Sequence, residues 1–92
     1  MKTKAFDPAN YLDDEEAVEG YLKDAFETGD TAFIADALGV VSRSRGMTEV
    51  SKRTGLSRES LYRSLSEKGN PELGTILKVM SSLGLKLSVT HV

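Results

Sequence analysis

The sequence lacks the residues that support disulfides, metal sites or catalysis. It has no cysteine and no tryptophan, only two prolines, and a single histidine, His91, beside the C-terminus. Without cysteine the chain can form no disulfide and no cysteine-rich zinc site, which argues against a secreted, disulfide-dependent fold. The histidine belongs to no catalytic constellation, and no glycine-rich phosphate loop is present. We therefore expect no enzymatic activity, no metal and no cofactor.

Long apolar runs are also missing. The first residues, MKTKAFDPANYLDDEE, contain none, so we do not expect a signal peptide. No segment approaches the ~20 apolar residues that a membrane span needs. The composition therefore predicts a cytoplasmic protein. A length of 92 residues suffices for a single domain, 1–92, with one modest core.

The charged side chains are unevenly distributed along the chain. The formal net charge of -2 argues weakly against a nucleic-acid partner. Residues 1–46, however, carry ten acidic and five basic side chains, whereas residues 47–92 carry four acidic and seven basic ones. The halves thus have net charges of -5 and +3. This split suits two faces for two partners, and it also suits two faces that are merely solvated.

The spacing of apolar residues predicts a mainly α protein with five helices. The acidic half, residues 1–46, holds the first two. We expect Asp13 or Asp14 to be the N-cap of the first helix and Asp30 the N-cap of the second. Asp13 and Glu16 also have the spacing of a capping box.

The last helix, residues 70–84, has a distinct predicted start. Asn70 is the expected N-cap, and Pro71 is the expected first helical residue, where its missing N–H is no loss. Gly84 is the expected end of the helix. The apolar stripe that we expect to face the core consists of Leu73, Ile76, Leu77, Met80 and Leu83.

Residues 85–92 change from a helical period to a period of two. Leu85, Leu87 and Val89 alternate with polar side chains, which predicts a short C-terminal β-strand. A lone strand leaves its backbone groups unpaired. Its partner is the same strand of a second subunit, the stretch at residues 6–11, or another protein. We favour the first alternative, a homodimer.

Residues 47–66 match a helix-turn-helix. Two short helices, with Thr48 and Ser57 as expected N-caps, flank a turn that contains Gly55. Two helices joined by such a short glycine-containing turn are typical of this motif. Ser51 is small where the helices approach each other, and the apolar positions that must pack inward are Val50, Leu56, Leu61 and Leu65. The alternative is a helical hairpin without a role in DNA binding.

A DNA-reading helix-turn-helix places the N-terminal residues of its second helix in the major groove. Arg58 and Arg63 then suit bidentate contacts with guanine. Glu59 suits a cytosine amine or the helix dipole, and Tyr62 suits a thymine methyl, a phosphate or the edge of the core. The exposed set predicted for this helix is Ser57, Arg58, Glu59, Tyr62, Arg63 and Ser66. Lys52 and the neighbouring Arg53 could equally be solvated. The candidates for phosphate contacts are Thr48, Lys52, Lys68 and Asn70.

Five blocks of the sequence, from about Phe6 to Leu87, carry a family resemblance. They are FDPANYLDDEEAVEGYL, ALG (37–39), RSRGM (43–47), GLSRESLY (55–62) and GNPELGTILKVMSSLGLKL (69–87). In order and spacing the chain resembles the small antidote proteins of toxin–antitoxin addiction modules with a Cro/repressor-type helix-turn-helix. Ser44 and Ser51 depart from the alanines expected there, and each hydroxyl needs a partner such as a carbonyl one turn back.

The resemblance implies a five-helix, lambda-repressor-like DNA-binding domain. It further implies an operon partner, a small RelE/ParE-like toxin, which the antidote binds and blocks while it represses the operon promoter. Because such toxins present basic surfaces, the acidic first helix is a candidate toxin-binding surface, with the residues Asp13, Asp14, Glu15, Glu16 and Glu19. The same acids could instead only cap the helix and aid solubility. Two further alternatives are a stand-alone phage-type repressor without a toxin partner and a protein-binding module that has lost DNA binding.

Overall fold

The computed structural model describes Leu12 and residues 14–92, and this part of the chain folds into five α-helices. The mainly α architecture predicted from the sequence is confirmed. None of these described helices is both long and apolar enough to cross a membrane. The helices, in chain order, are α1 (Glu15–Glu27), α2 (Thr31–Arg45), α3 (Met47–Thr54), α4 (Arg58–Ser64) and α5 (Leu73–Ser82).

The first two helices begin at aspartate N-caps, as predicted. The Asp14 carboxylate accepts a hydrogen bond from the Ala17 N–H at 2.7 Å. The Asp30 carboxylate accepts from the N–H groups of Ala32 and Phe33 at 3.0 and 3.3 Å. These bonds satisfy backbone donors that have no partner within a helix. The alternative cap Asp13, and the capping box that would include it, lie outside the described residues.

Helix α2 occupies the centre of the fold. It packs against α1, α3 and α4, while α5 packs against α3. The side chains of Leu38 and Val41 are completely buried on α2. Fifteen buried apolar residues drawn from all five helices, the segment after α4 and Leu12 form one cluster around it. The core thus joins the acidic helix α1 to the α3–α4 pair through α2.

Two predicted helix starts are wrong. Helix α3 begins at Met47 after Gly46, so Thr48 lies inside the helix and makes no cap. The Gly46 carbonyl already accepts from Glu49 and Val50 N–H groups at 3.1 Å. The φ of Gly46, 101°, is in the region that favours glycine, so the helix begins two residues earlier than a Thr48 cap would require.

Helix α5 begins at Leu73 with Glu72 as its N-cap residue, rather than after Asn70. Pro71 therefore precedes the helix instead of forming its first turn. The fixed φ of proline suits both the first helical turn and an extended approach to it, so the proline alone could not decide between them. The end of α5 is confirmed: Gly84, with a φ of 79°, follows its last turn, and the Leu85 N–H donates to the Met80 carbonyl at 2.9 Å.

Part of the predicted inner stripe of α5 faces outward. Met80 and Leu83 are buried and Ile76 is partly buried, as predicted, but Leu73 is 64% and Leu77 46% exposed. Helix α5 rests on α3 through its C-terminal half, where Val79 is also completely buried. Leu73 and Leu77 are four residues apart, so they share one row on the helix surface, beside the row that faces the core.

The predicted C-terminal strand is not confirmed. Residues 85–92 are irregular, and no strand occurs in the part of the chain that the structure describes. Leu85 nevertheless packs against the core cluster. Of the partners considered for a strand, the stretch at residues 6–11 lies outside the described residues.

Candidate nucleic-acid interface

A three-residue connection, Gly55–Ser57, joins α3 to α4. Gly55 ends α3 in the left-handed region with a φ of 77°, which a side chain would strain. Ser57 begins α4, and its Oγ accepts a hydrogen bond from the Ser60 N–H at 3.0 Å. Both residues therefore have the local roles that the sequence predicted.

Side-chain hydrogen bonds also stabilise the connection between α3 and α4. The Ser51 hydroxyl donates to the Leu56 carbonyl at 2.6 Å, and the Leu56 N–H donates to the Thr54 hydroxyl oxygen at 3.2 Å. The Ser51 hydroxyl therefore has the partner that the sequence required, although this carbonyl lies five residues ahead in the chain rather than one turn back. Ser44 follows the prediction, and its hydroxyl donates to the Val41 carbonyl at 2.7 Å. The turn geometry thus rests on side chains as well as on Gly55.

The inner faces of α3 and α4 are packed as predicted. Val50, Leu61 and Leu65 are at most 3% exposed, and Leu56 is partly buried against the same cluster. Burying a side chain of this size stabilises a fold by about 1.5–3 kcal/mol. The pair is therefore held on the core by one face, which leaves the opposite face of α4 to solvent.

Two glycines allow close backbone contacts at the C-terminal end of α4, and neither contact was predicted from the sequence. A Cβ on Gly39 of α2 would overlap the Leu65 carbonyl oxygen, and one on Gly69 would overlap the Ser64 carbonyl oxygen and lie 2.7 Å from that of Arg63. The backbones meet directly at both places. A glycine inside the helical pattern of α2 was the available signal for Gly39. For Gly69 the sequence carried no comparable signal.

The outward surface of α4 carries four large polar side chains. Arg58, Glu59, Tyr62 and Arg63 are all exposed, and the tyrosine is 46% exposed. Arg58 with Tyr62 and Glu59 with Arg63 are spaced by four residues, so the four side chains form two adjacent rows on one face. Within the described part of the chain neither arginine takes part in an ion pair. We call these four residues the α4 outer face.

The remaining predicted DNA contacts lie around this face and differ in whether their side chains are exposed or hydrogen-bonded to the backbone. Thr48 and Lys52 are exposed one turn apart on α3, and Lys68 and Asn70 are exposed between α4 and α5. Ser66 lies beyond the end of α4, where its hydroxyl donates to the Arg63 carbonyl at 3.1 Å. Ser66 therefore supports the end of α4, whereas the other four side chains extend into solvent.

One ion pair sits on α3 beside the candidate interface. The Arg53 Nε donates to the Glu49 carboxylate at 2.8 Å, and both side chains are more than half exposed. This hydrogen bond, with the charge of the same guanidinium and a smaller effect of Lys52, lowers the pKa of Glu49. From the sequence, Arg53 could be a phosphate contact or a solvated side chain; its pairing with Glu49 was not predicted, although the spacing of four residues between opposite charges was visible. Arg53 is thus engaged with Glu49, unlike Arg58 and Arg63.

The acidic residues of α1 do not form one uniform patch. Asp14, Glu15, Glu16 and Glu19 are all exposed, and Asp13 is outside the described residues. Asp14 and Glu15 border a groove of about 440 Å³ together with Leu12, Ser44 and Arg45. Glu19 borders a different groove of about 540 Å³, between α1 and the C-terminal segment. Three of the four described acids are therefore divided between two recesses, and Glu16 borders neither of them.

Comparison with known proteins supplies a family. The family model described as "Probable addiction module antidote protein" matches residues 2–91. A relative from Haemophilus influenzae, described only as an uncharacterized protein, is 40% identical over 86 residues, which cover 94% of this chain and 89% of the relative. Comparison with the solved structures finds no match. The extent of the family match shows that the chain belongs to the probable addiction module antidote protein family.

Proposed function

We propose that the protein is the antitoxin of a type II toxin–antitoxin module. It binds and neutralises a small RelE/ParE-like toxin, and it represses its own operon by sequence-specific binding to double-stranded DNA. It acts in the cytoplasm as a homodimer and has no enzymatic activity of its own. The observation that carries the DNA-binding part is the α4 outer face, and the family match supports the antitoxin part.

The DNA-binding part of the proposal rests on the packing of α4, which leaves its outer face exposed. In this proposal α3 and α4 are a helix-turn-helix, and α4 lies in the major groove. The N-terminal half of such a recognition helix faces the base edges. Arg58 and Arg63 offer guanidinium groups of the geometry that binds guanine O6 and N7. Ser57 is occupied as an N-cap acceptor, yet its hydroxyl can still donate to a phosphate.

The exposed side chains around α4 supply the phosphate contacts. Thr48, Lys52, Lys68 and Asn70 are candidates for this role, which sets affinity and register rather than sequence preference. One recognition helix reads only a short site, and dimers on half-sites roughly 34 Å apart extend it. A homodimer therefore belongs to the proposal.

The DNA-binding test compares three arginines. Arg58→Ala and Arg63→Ala should each weaken binding to the DNA upstream of the operon by about 1–3 kcal/mol if the contacts are bidentate. Arg53→Ala is the matched control, because Arg53 is exposed but already paired with Glu49. The measurement is fluorescence anisotropy with operator and random duplexes over a series of salt concentrations.

The pattern of losses identifies the role of each arginine. A loss on operator but not on random DNA supports base reading. An equal loss on both duplexes, with a smaller salt slope, makes that arginine a phosphate contact. A wild-type protein that binds neither duplex would overturn the DNA-binding part of the proposal.

The toxin-binding part is supported by the exposed acids at the start of α1. Glu15 and Glu16 are exposed in the first turn and lie outside the larger groove, so they are available to a basic partner. Glu15→Lys with Glu16→Lys should abolish binding of the toxin while operator affinity is unchanged. The control reverses two exposed acids elsewhere, Glu67→Lys with Glu72→Lys, and should leave the toxin complex intact.

The antitoxin part is tested by co-expression with the adjacent small open reading frame. Growth rescue and co-purification are the readouts. Rescue that depends on the α1 acids supports the proposal. A neighbour that is harmless or does not bind favours the alternative, a stand-alone phage-type repressor, because the α4 outer face serves that function equally well.

A further inference from the structure

A groove separates α1 from the C-terminal segment of the chain. Its volume is about 540 Å³. Leu22 and Met80, which line it, are buried, and Phe26 and Leu85 are partly buried against the core. No residue of α3 or α4 lines the groove, so it is separate from the candidate DNA interface. Polar side chains also line the groove, and the apolar ones next to the core suit an occupant with apolar side chains of its own.

Alternate side chains of the C-terminal segment are apolar, and their exposure to solvent increases towards the C-terminus. Leu85 is packed on the core, Leu87 is 37% exposed, and Val89 is 96% exposed. Residues 86–92 make no backbone hydrogen bond with another segment of the described chain. Unpaired backbone groups and exposed alternate apolar side chains are the features of a segment that pairs with another chain.

The charged side chains that line the groove indicate which chain pairs with the C-terminal segment. Four exposed charged side chains contribute, the acids Glu19 and Glu27 and the bases Lys23 and Lys86. Their charges cancel, so the groove does not favour the basic toxin surface proposed above. A second copy of the C-terminal segment, which has one lysine and one histidine among apolar and hydroxyl side chains, suits a groove of mixed lining without net charge.

We propose that this groove is the homodimer interface and that each protomer places its C-terminal segment in the groove of the other. The contact is isologous: the same groove and the same segment are used on both chains, as a two-fold axis requires. Fully extended, residues 87–92 span about 20 Å. This inference rests on the homodimer of the proposed function, and it assigns Glu19 to the dimer contact rather than to the toxin.

The absence of native cysteine allows a direct test. Full-length chains carrying Glu27→Cys are mixed with chains carrying Val89→Cys, the mixture is oxidised, and disulfides are identified by mass spectrometry. Glu27 lines the groove and Val89 does not line that of its own chain. We expect a disulfide between the two variants. A dimer in which only two Val89→Cys chains become linked would overturn the proposal, since the segments would then meet outside the groove.

Sedimentation equilibrium gives the second measurement. Val89→Asp alters a side chain that is exposed within its own chain, so the fold of the monomer should be unchanged, and dimerisation should weaken about 10- to 100-fold. Leu73→Asp is the control, because Leu73 is an exposed leucine of α5 outside the groove. If Leu73→Asp dissociates the dimer and Val89→Asp does not, the interface is on α5 and the inference is wrong.

The two proposals fail in different ways. A wild-type chain that is monomeric at every concentration overturns both the groove contact and the proposed homodimer. A stable dimer without the disulfide between the variants overturns the groove contact alone. Operator binding and toxin rescue are measured separately, so neither result is confused with a failure of the antitoxin function.

Discussion

Replacing Gly39 by alanine tests the close packing of the end of α4 against α2. A Cβ at this position would overlap the Leu65 carbonyl oxygen and lie 3.2 Å from the Leu65 carbonyl carbon. Leu65 is 3% exposed and directly follows α4, so the obstructing atoms are buried backbone rather than a flexible side chain. The end of α4 must move away from α2 to admit the methyl group.

Gly20→Ala is the matched control for the change in stability caused by Gly39→Ala. It also lies inside a helix, α1, and a Cβ there meets nothing within 4 Å. Gly20→Ala should stabilise the protein by about 0.5–1 kcal/mol, because alanine is the better helix former. Gly39→Ala should gain the same stabilisation from helix propensity, but it also carries an overpacking penalty of about 1–3 kcal/mol, occasionally more. The difference between the two variants therefore isolates that penalty.

Urea unfolding followed by circular dichroism measures this difference. Gly39→Ala should be less stable than Gly20→Ala by about 1–3 kcal/mol, which corresponds to at least about 4 °C in Tm for a domain of this size. The displaced α4 should also lose preference for operator over random DNA in the anisotropy assay. Equal stability of the two variants would refute the backbone contact between α2 and the end of α4.

Three further predictions concern single side chains. Ser42 is completely buried and its hydroxyl has no hydrogen-bond partner in the described chain, so Ser42→Ala should raise the free energy of unfolding by about 1 kcal/mol in urea denaturation, and destabilisation would contradict this. Ser57→Ala removes the N-cap of α4 and should lower the free energy of unfolding by about 1 kcal/mol, whereas an unchanged value would show that the cap is dispensable. The pKa of Glu49 is lowered from its ordinary value of 4.5, so its stabilising effect is complete above that pH and is lost as the pH falls through the folded pKa. Arg53→Ala should return the pKa of Glu49 towards 4.5 in an NMR titration, and an unmoved pKa would exclude Arg53 as the cause.

Local features were predicted well because their causes lie within one turn of the chain. Asp30 and Ser57 cap their helices as expected, and Gly55 and Gly84 follow helix ends with positive φ. Hydrogen bonds that span two or three residues explain the caps, and freedom from a Cβ explains the glycines. The starts of α3 and α5 were misplaced because neighbouring residues, Gly46 and Glu72, could serve equally well locally.

The α4 outer face was also visible in the sequence. Once Leu61 and Leu65 are turned inward, helical geometry leaves Arg58, Glu59, Tyr62 and Arg63 on the opposite side, and the structure places them there. Which partners contact the α4 outer face and α1 depends on molecules outside the chain.

Five helices, most of their ends and the polar face of α4 could be predicted from the sequence, since periodicity and capping act over a few residues. How those helices meet depends on the tertiary structure. The backbone contact of Gly39 with Leu65, the exposure of Leu73 and Leu77, and the groove between α1 and the C-terminal segment all depend on residues brought together from distant parts of the chain. Packing between helices selects one arrangement of their apolar faces, and no local pattern encodes that choice.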